Sequence, residues 1–231
     1  GFIEIALPGG RGRRLLDIGC ADGSFLLEAQ KKGWNVTGTE LDPTSSRQAG
    51  LDVREEITEL LGDAPFDCIT MWHTLEHMRD IPHMLTNIAR LLAPQGRLII
   101  AVPNFGGWQA RLFGPKWLHI DVPRHLYHFS TTSLQQALAG AGFISTWHQE
   151  FEYDLLGWSQ SALNYLMPEP NVFFDILTGK RGRAGVFARF YACMLGSLLM
   201  ILALPIMALS TFVGRGGTLI VVAAPANRST T

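Results

Sequence analysis

Arg13-Arg14-Leu15-Leu16-Asp17-Ile18, followed at once by Gly19-Cys20-Ala21-Asp22-Gly23, is the stretch on which the fold turns. The first six residues form a short apolar run, and the next five are too rich in glycine and small residues to continue it. This reads as a strand entering a glycine-rich turn. Ser24 to Lys32 then sets Phe25, Leu26 and Ala29 on one side and closes on Lys31-Lys32-Gly33. That pattern predicts an amphipathic helix with a basic last turn and a glycine cap.

Outward from this unit, strands and helices alternate. Val36 to Glu40 reads as a second strand, Pro43 opens a short helix, and Leu51 to Arg54 is a short third strand. Phe66 to Trp72 is a buried fourth strand. Asp80 can cap a helix with Ile81, Leu85, Ile88 and Leu92 along one face. Gly96 ends that helix, and Arg97 to Val102 is the fifth strand. A long aromatic loop spans Asn104 to Ser130, and Thr131 to Ala141 is a helix carrying Leu134 and Leu138. Phe143 to Phe151 and Thr218 to Ala223 complete the strands. The alternation and the near-continuous apolar runs predict a doubly wound, Rossmann-like α/β sheet covered on both faces.

The chain has 231 residues, 47% hydrophobic and only 17% charged, against about 25% charged in an ordinary soluble domain. The excess apolar character sits between strands six and seven. From Phe190 to Gly214 there is no charged residue and no histidine, with Lys180, Arg181, Arg183 and Arg189 before the run and Arg215 after it. The expected domains are therefore a core over 1–152, a hydrophobic helical insertion over 153–215, and the last strand and tail over 216–231. A formal net charge of -1 argues against nucleic acid held by bulk electrostatics. Cys20, Cys68 and Cys193 stand in no paired spacing, which fits neither zinc nor a disulfide framework and suits a reducing, cytoplasmic setting. The start of the chain lacks a basic stretch followed by an apolar one, so no signal peptide is expected. It opens on Gly1 rather than Met.

In an open α/β sheet, ligands bind at the carboxyl edge of the strands, where Asp17 to Gly23 lies. Glycines there let the backbone approach a ligand closely, and the next helix offers its N-terminus. Glu40 ends the second strand about 20 residues on, where a carboxylate can accept both hydroxyls of a ribose. A dinucleotide site would show G-x-G-x-x-G. This chain has D-x-G-x-A-x-G, and Asp17 and Asp22 would repel a diphosphate. A carboxylate is instead useful near the positively charged amino group of an amino-acid cofactor.

With these residues in view, the chain resembles the class I S-adenosylmethionine-dependent methyltransferases, in the branch of the ubiquinone-biosynthesis type enzymes. Asp17 to Gly23 resembles the family's first motif, with Ala21 in place of the middle glycine. Gly38-Thr39-Glu40-Leu41-Asp42-Pro43 resembles the second. Phe66-Asp67-Cys68-Ile69, followed by His73-Thr74-Leu75-Glu76-His77, resembles the fourth-strand signature. Pro94-Gln95-Gly96-Arg97-Leu98 resembles the PGGxL turn, with Gln95 replacing a glycine. Asp121-Val122-Pro123-Arg124-His125-Leu126-Tyr127-His128-Phe129 resembles a segment of bacterial members of unassigned substrate. The resemblance implies seven strands with the last antiparallel, and S-adenosylmethionine as cofactor. It implies Asp17, Gly19, Cys20, Ala21 and Gly23 around the methionine portion, and Glu40 with Leu41 at the ribose. Glu56 and Ile57 would flank the adenine, with Trp72 and His73 completing the cofactor set.

His73, His77, His119, His125 and His128 fall in or beside loops at this edge. A histidine suits the role of general base for a hydroxyl nucleophile. His73, just past the fourth strand, and His125 are the catalytic candidates, while His77 reads as a structural hydrogen bonder. No tight spacing among them supports a metal. Trp72, Phe105, Trp108, Phe113, Trp117, Tyr127 and Phe129 crowd the same edge, as lid packing or as an aromatic pocket.

The expected activity is methyl transfer to a small lipophilic acceptor, at oxygen. A soluble metabolite or sugar as acceptor, a silent cofactor-binding subunit, a nicotinamide-dependent oxidoreductase and an integral membrane protein are the competing readings. Pro205 is expected to break the apolar run into two arms too short to span a bilayer. With basic residues at both ends, the segment reads as a monotopic hairpin at the inner face of the membrane. Leu155 to Met167 would lie alongside it as an amphipathic helix. A homodimer interface or helices packed on the domain are the alternatives for this segment.

Overall fold

The computed structural model of the chain describes residues 7, 11–63, 65–179 and 184–226, so Lys180, Arg181 and Arg183 lie outside the described residues. The first half runs β1 (Arg14–Ile18), α1 (Ser24–Lys31), β2 (Asn35–Thr39), α2 (Thr44–Gln48), β3 (Val53–Arg54) and β4 (Phe66–Trp72). Then come α3 (Ile81–Leu91), β5 (Leu92–Pro103), α4 (Trp108–Phe113), α5 (Thr131–Gly140) and β6 (Phe143–Phe151). The chain closes with α6 (Leu155–Leu166), α7 (Val172–Leu177), α8 (Val186–Phe212) and β7 (Thr218–Pro225).

The seven strands form one sheet in the order β3-β2-β1-β4-β5-β7-β6. Strands β3, β2, β1, β4 and β5 pair in parallel. β7 runs against β6: Ala226 donates its N–H to the Gly142 carbonyl, and Thr146 Oγ1 donates to Val222 O, so partners advance in opposite directions. The near-continuous apolar runs follow from burial on both faces, since Leu15, Leu16, Cys68, Ile69, Leu98, Ile99 and Ile100 are all inaccessible. Each such side chain contributes about 1.5–3 kcal/mol.

Helices α1 and α3 lay apolar stripes on this core through Leu26 and Ala29, and through Ile81, Leu85, Ile88 and Leu91. Asp80 caps α3 as expected, its Oδ1 accepting the His83 N–H at 2.9 Å. One boundary differs from the sequence reading. α3 ends at Leu91, and Pro94-Gln95-Gly96 lie inside β5 rather than in a turn before it. The pairing jumps from Phe66↔Leu92 to Cys68↔Arg97, so these residues bulge out of the ladder while the strand continues on either side.

The chain divides into two compact units. The first comprises Gly1–Val102, Thr132–His148 and Ile220–Thr231; the second comprises Pro103–Thr131 and Gln149–Leu219. The second has its own core. Ala110, Phe113, Trp117, Trp158, Ala203 and Met207 form one cluster, and Leu163, Met167, Val172, Phe173 and Ala192 another.

Here one expectation is corrected: Pro205 does not break the apolar segment, and α8 runs unbroken from Val186 to Phe212. Proline removes one intrahelical hydrogen bond and crowds the preceding turn. Ala203 and Met207, on either side of it, are both packed in the cluster with Trp158, and this holds the two arms in line.

Candidate active site

A cavity of about 690 Å³ opens in the first unit at the carboxyl ends of β1, β2 and β4 and beside the chain leaving β3. Strand order reverses between β1 and β4, the switch point where an open α/β sheet leaves a crevice. Ile18, Gly19 and Ala21 line it from the first turn, and Thr39, Glu40 and Leu41 from the end of β2. Glu55 to Thr58 follow β3, Trp72 ends β4, and His73, Thr74 and His77 follow it.

The turn after β1 is fixed by backbone bonds. Gly19 and Cys20 both donate their N–H to Thr39 O, at 2.8 and 3.0 Å. Gly19 takes φ 75°, where a side chain would also strike the Thr74 methyl at 2.5 Å, so glycine is required twice over. Ala21 adopts a left-handed φ of 49° despite its methyl. What holds it there is Glu40, whose Oε2 accepts the Ala21 N–H at 2.9 Å while Oε1 accepts that of Leu41 at 2.9 Å. The carboxylate therefore closes the gap between the first and second motifs and stays in the cavity wall.

Asp17, Cys20 and Gly23 are placed differently: none of the three lines the cavity. Asp17 is buried under the turn and accepts a hydrogen bond from Thr70 Oγ1 at 2.6 Å. Burial pushes its carboxyl up to about 7, against the Thr70 bond and with help from the Glu40 charge. Burial, with the Asp17 and Glu40 charges, likewise raises the Cys20 thiol to about 11, which keeps it a protonated, unreactive thiol near neutral pH.

After β3, Glu56 and Glu59 form a reciprocal capping box around the short helix Ile57–Leu60. Glu59 Oε1 accepts the N–H groups of Glu55 and Glu56, at 3.2 and 2.9 Å. At the end of β4, Trp72 packs edge-on against Phe25 with ring centroids 5.4 Å apart, and its buried Nε1 has no hydrogen-bond partner among the described residues. An orphaned donor in a cavity wall fits a polar ligand group. His73 stands at φ 51° with its N–H held by Ala101 O at 2.8 Å.

Sequence reasoning missed the far wall, formed by Met78, Arg79, Asp80, His83, Met84 and Asn87. Asn87 Nδ2 and His83 Nε2 lie 3.1 Å apart, one turn along α3. The signal available was their place at the start of the helix that follows β4, on the ligand edge.

His125 belongs to the second unit, where it is buried, with Nδ1 at 2.7 Å from His119 O and its ring stacked on that of His119. Phe113 and Trp117, two of the aromatic candidates, are core residues of the same unit. His119 Nε2 contacts Asp154 Oδ2 at 2.6 Å, and Asp154 Oδ1 caps α6 through the Gly157 N–H.

A Rossmann-like sheet with a cavity at its switch point, bordered by Gly19, Ala21 and Glu40, has the architecture of a nucleoside-cofactor site. Residues 2–146 match the family model described as a methyltransferase domain, and the chain belongs to that family of S-adenosylmethionine-dependent methyltransferases.

Among curated relatives, it is 28% identical to the ubiquinone biosynthesis O-methyltransferase of Chelativorans sp. (strain BNC1), over 68% of this chain and 70% of that one. It is 34% identical to the enzyme of that name from Xylella fastidiosa (strain 9a5c), over 40% and 43%. The chain spans about half the length of most such relatives. Among solved structures, a methyltransferase from Mesorhizobium loti superposes with TM-score 0.56 at 16% identity, covering 96% of this chain and 95% of that one. The 1,6-didemethyltoxoflavin-N1-methyltransferase of Burkholderia thailandensis, with bound S-adenosylhomocysteine, gives 0.51 at 23%, covering 64% and 67%. These structural likenesses bear on the fold.

Proposed function

We propose that this chain methylates a hydroxyl oxygen of a small lipophilic acceptor, working against a membrane surface. The observation that carries the reading is the cavity at the switch point, with Glu40 on one wall and His73 on another. Backbone at Gly19 and Ala21 admits the amino-acid portion of the cofactor, Glu40 accepts its ribose hydroxyls, and Glu56 with Ile57 flanks the adenine.

Bound S-adenosylmethionine supplies a methyl group already activated on a sulfonium, so the protein's main task is alignment. His73 takes the proton of the acceptor hydroxyl as its oxygen bonds to the methyl carbon. The cofactor would give up the methyl group and keep the electron pair of the carbon–sulfur bond on sulfur, while His73 passes the proton on to solvent.

Two features support a lipophilic acceptor. The curated relatives named above are O-methyltransferases of ubiquinone biosynthesis. In addition, residues 153–215 carry α8, whose exposed residues from Phe187 to Phe212 are apolar apart from Ser197. We assign that insertion the role of docking the enzyme on an anionic lipid leaflet. Incubating the protein with deuterated cofactor and a bacterial lipid extract, then searching by mass spectrometry for a trideuteromethyl gain, tests the reading. A gain in an organic-soluble phenol or polyprenylated compound is expected. Label found only on a water-soluble metabolite would overturn the lipophilic acceptor.

A further inference from the structure

Glu76 has no evident structural employment. It lies in the short helix Leu75–His77 after β4 and is 1% exposed, and neither carboxylate oxygen has a hydrogen-bond partner among the described residues. A buried carboxylate without hydrogen bonds is costly, and a fold retains one where something else is gained. The ring beside it is that of His73, with Nδ1 at 3.5 Å from Glu76 Oε1. His73 in turn is held in a left-handed conformation that a non-glycine residue adopts only when its surroundings impose it. The Ala101 carbonyl fixes its backbone, and its partly exposed ring lines the cavity. A strained residue at a cavity wall, backed by an unsatisfied buried carboxylate, is the arrangement of an oriented base.

We propose that Glu76 is a positioning residue for methyl transfer: it holds the Nδ1–H tautomer of His73, which leaves the lone pair on Nε2 to receive the acceptor's proton. This rests on His73 being the base. The separation of 3.5 Å closes to a hydrogen bond when the site is filled, as catalytic bonds commonly do. His77, which is exposed, also brings a ring nitrogen within 4.8 Å of the same carboxylate, so the test below reads both rings. A dyad of this kind needs no metal and no further reactant, since it only fixes which nitrogen is basic.

The test is to label the full chain with ¹⁵N-histidine, saturate it with S-adenosylhomocysteine, and read the ring nitrogens of His73 and His77 at pH 8 in wild type, Glu76→Leu and Glu76→Gln. In wild type, His73 is expected as the Nδ1–H tautomer; in Glu76→Leu it shifts to the Nε2–H form that water favours. Removing an unsatisfied buried carboxylate leaves thermal stability equal or higher. Cofactor affinity is expected to stay within about 2-fold, since Glu76 is buried and does not line the cavity. Glu76→Gln, whose amide oxygen can still accept the Nδ1–H, is expected to keep the wild-type tautomer; if Glu76→Leu fails to fold, Glu76→Ala carries the measurement, with loss of the Nδ1–H form as the expected result. A His73 ring in the Nε2–H form in wild type, a ring unchanged by Glu76→Leu or Glu76→Ala, or a response confined to His77 overturns the proposal. None of these readouts needs the methyl acceptor, so a wrong acceptor class would leave the role of Glu76 standing.

Discussion

Glu40 acts through both carboxylate oxygens, each already bound to a backbone N–H of the turn it faces. Its replacement therefore removes the proposed ribose acceptor and also loosens Ala21, the one non-glycine residue held left-handed in that turn. Glu40→Ala is expected to weaken S-adenosylmethionine binding by roughly 1–3 kcal/mol, the worth of a hydrogen bond to a charged group. Equal affinity of wild type and variant in calorimetry would remove Glu40 from the site. Asp17 carries a different prediction. Its carboxyl is raised to about 7, so the folded state prefers it protonated. A raised acid contributes stability that is complete below its ordinary value and is lost as pH climbs through the folded one. Wild type should thus lose stability between about pH 4 and pH 7 relative to Asp17→Asn, by up to a few kcal/mol. Urea unfolding at pH 4.5 and pH 8 measures the difference, and parallel behaviour of the two proteins would dispose of it. Asp17 also marks what was legible. The sequence placed it at the ligand edge, since the strand and turn chemistry are local. It could not tell which way a strand-end side chain points. Ile18 reaches the cavity, and Asp17, one step earlier in the pleat, turns to Thr70 instead.

Elements were legible wherever one periodicity ruled a whole segment. The runs at β1 and β4 are largely apolar because both sheet faces are covered, and each appeared in the sequence almost at its final length, whereas β5, read as Arg97 to Val102, extends over twelve residues. Boundaries set by long-range pairing were less visible: the Pro94-Gln95-Gly96 bulge is a strand feature only because β4 continues beside it on both sides. The same holds for α8. Proline chemistry alone divides it at Pro205, and only packing restores it. That packing depends on a small-residue stripe, Ala192, Gly196, Ala203 and Ser210, facing inward. A side chain at Gly196 would meet the Phe173 ring at 2.5 Å, and that ring is itself buried. Gly196→Val should therefore part α8 from α7. The expected cost is about 1–3 kcal/mol from overpacking, set against a small gain in helix propensity. A thermal midpoint equal to or above wild type would show that the two helices are not packed at that contact.

At the scale of the whole chain, charge is divided as unevenly as hydrophobicity. After Asp175 there are six basic residues and no acidic one, which leaves thirteen basic and twenty acidic residues up to and including it. The near-neutral total conceals a basic, apolar C-terminal quarter, the pairing of properties that draws a segment to an anionic leaflet. α8 has the length to cross a bilayer, since 27 residues rise about 40 Å. Its inner stripe, however, is packed at intervals from Ala192 to Met207 against residues of α4, α6 and α7, and crossing would strip Phe173 and Trp158 of that cover. The helix should instead lie flat, with Phe187 (91% exposed), Leu198, Ile201, Leu202 and Phe212 (88% exposed) entering the headgroup boundary. The full chain is then expected to float with vesicles of phosphatidylglycerol and phosphatidylcholine, to bind less in high salt, and to bind pure phosphatidylcholine weakly. Changing Leu198, Ile201 and Leu202 together to Gln should abolish flotation while S-adenosylmethionine affinity is unchanged, because no residue of α8 lines the cofactor cavity. A wild-type chain that stays in the aqueous fraction as a dimer, and that the same triple change turns into monomers, would give this face to a second copy. The lipid surface, and with it the main structural argument for a lipophilic acceptor, would then fall.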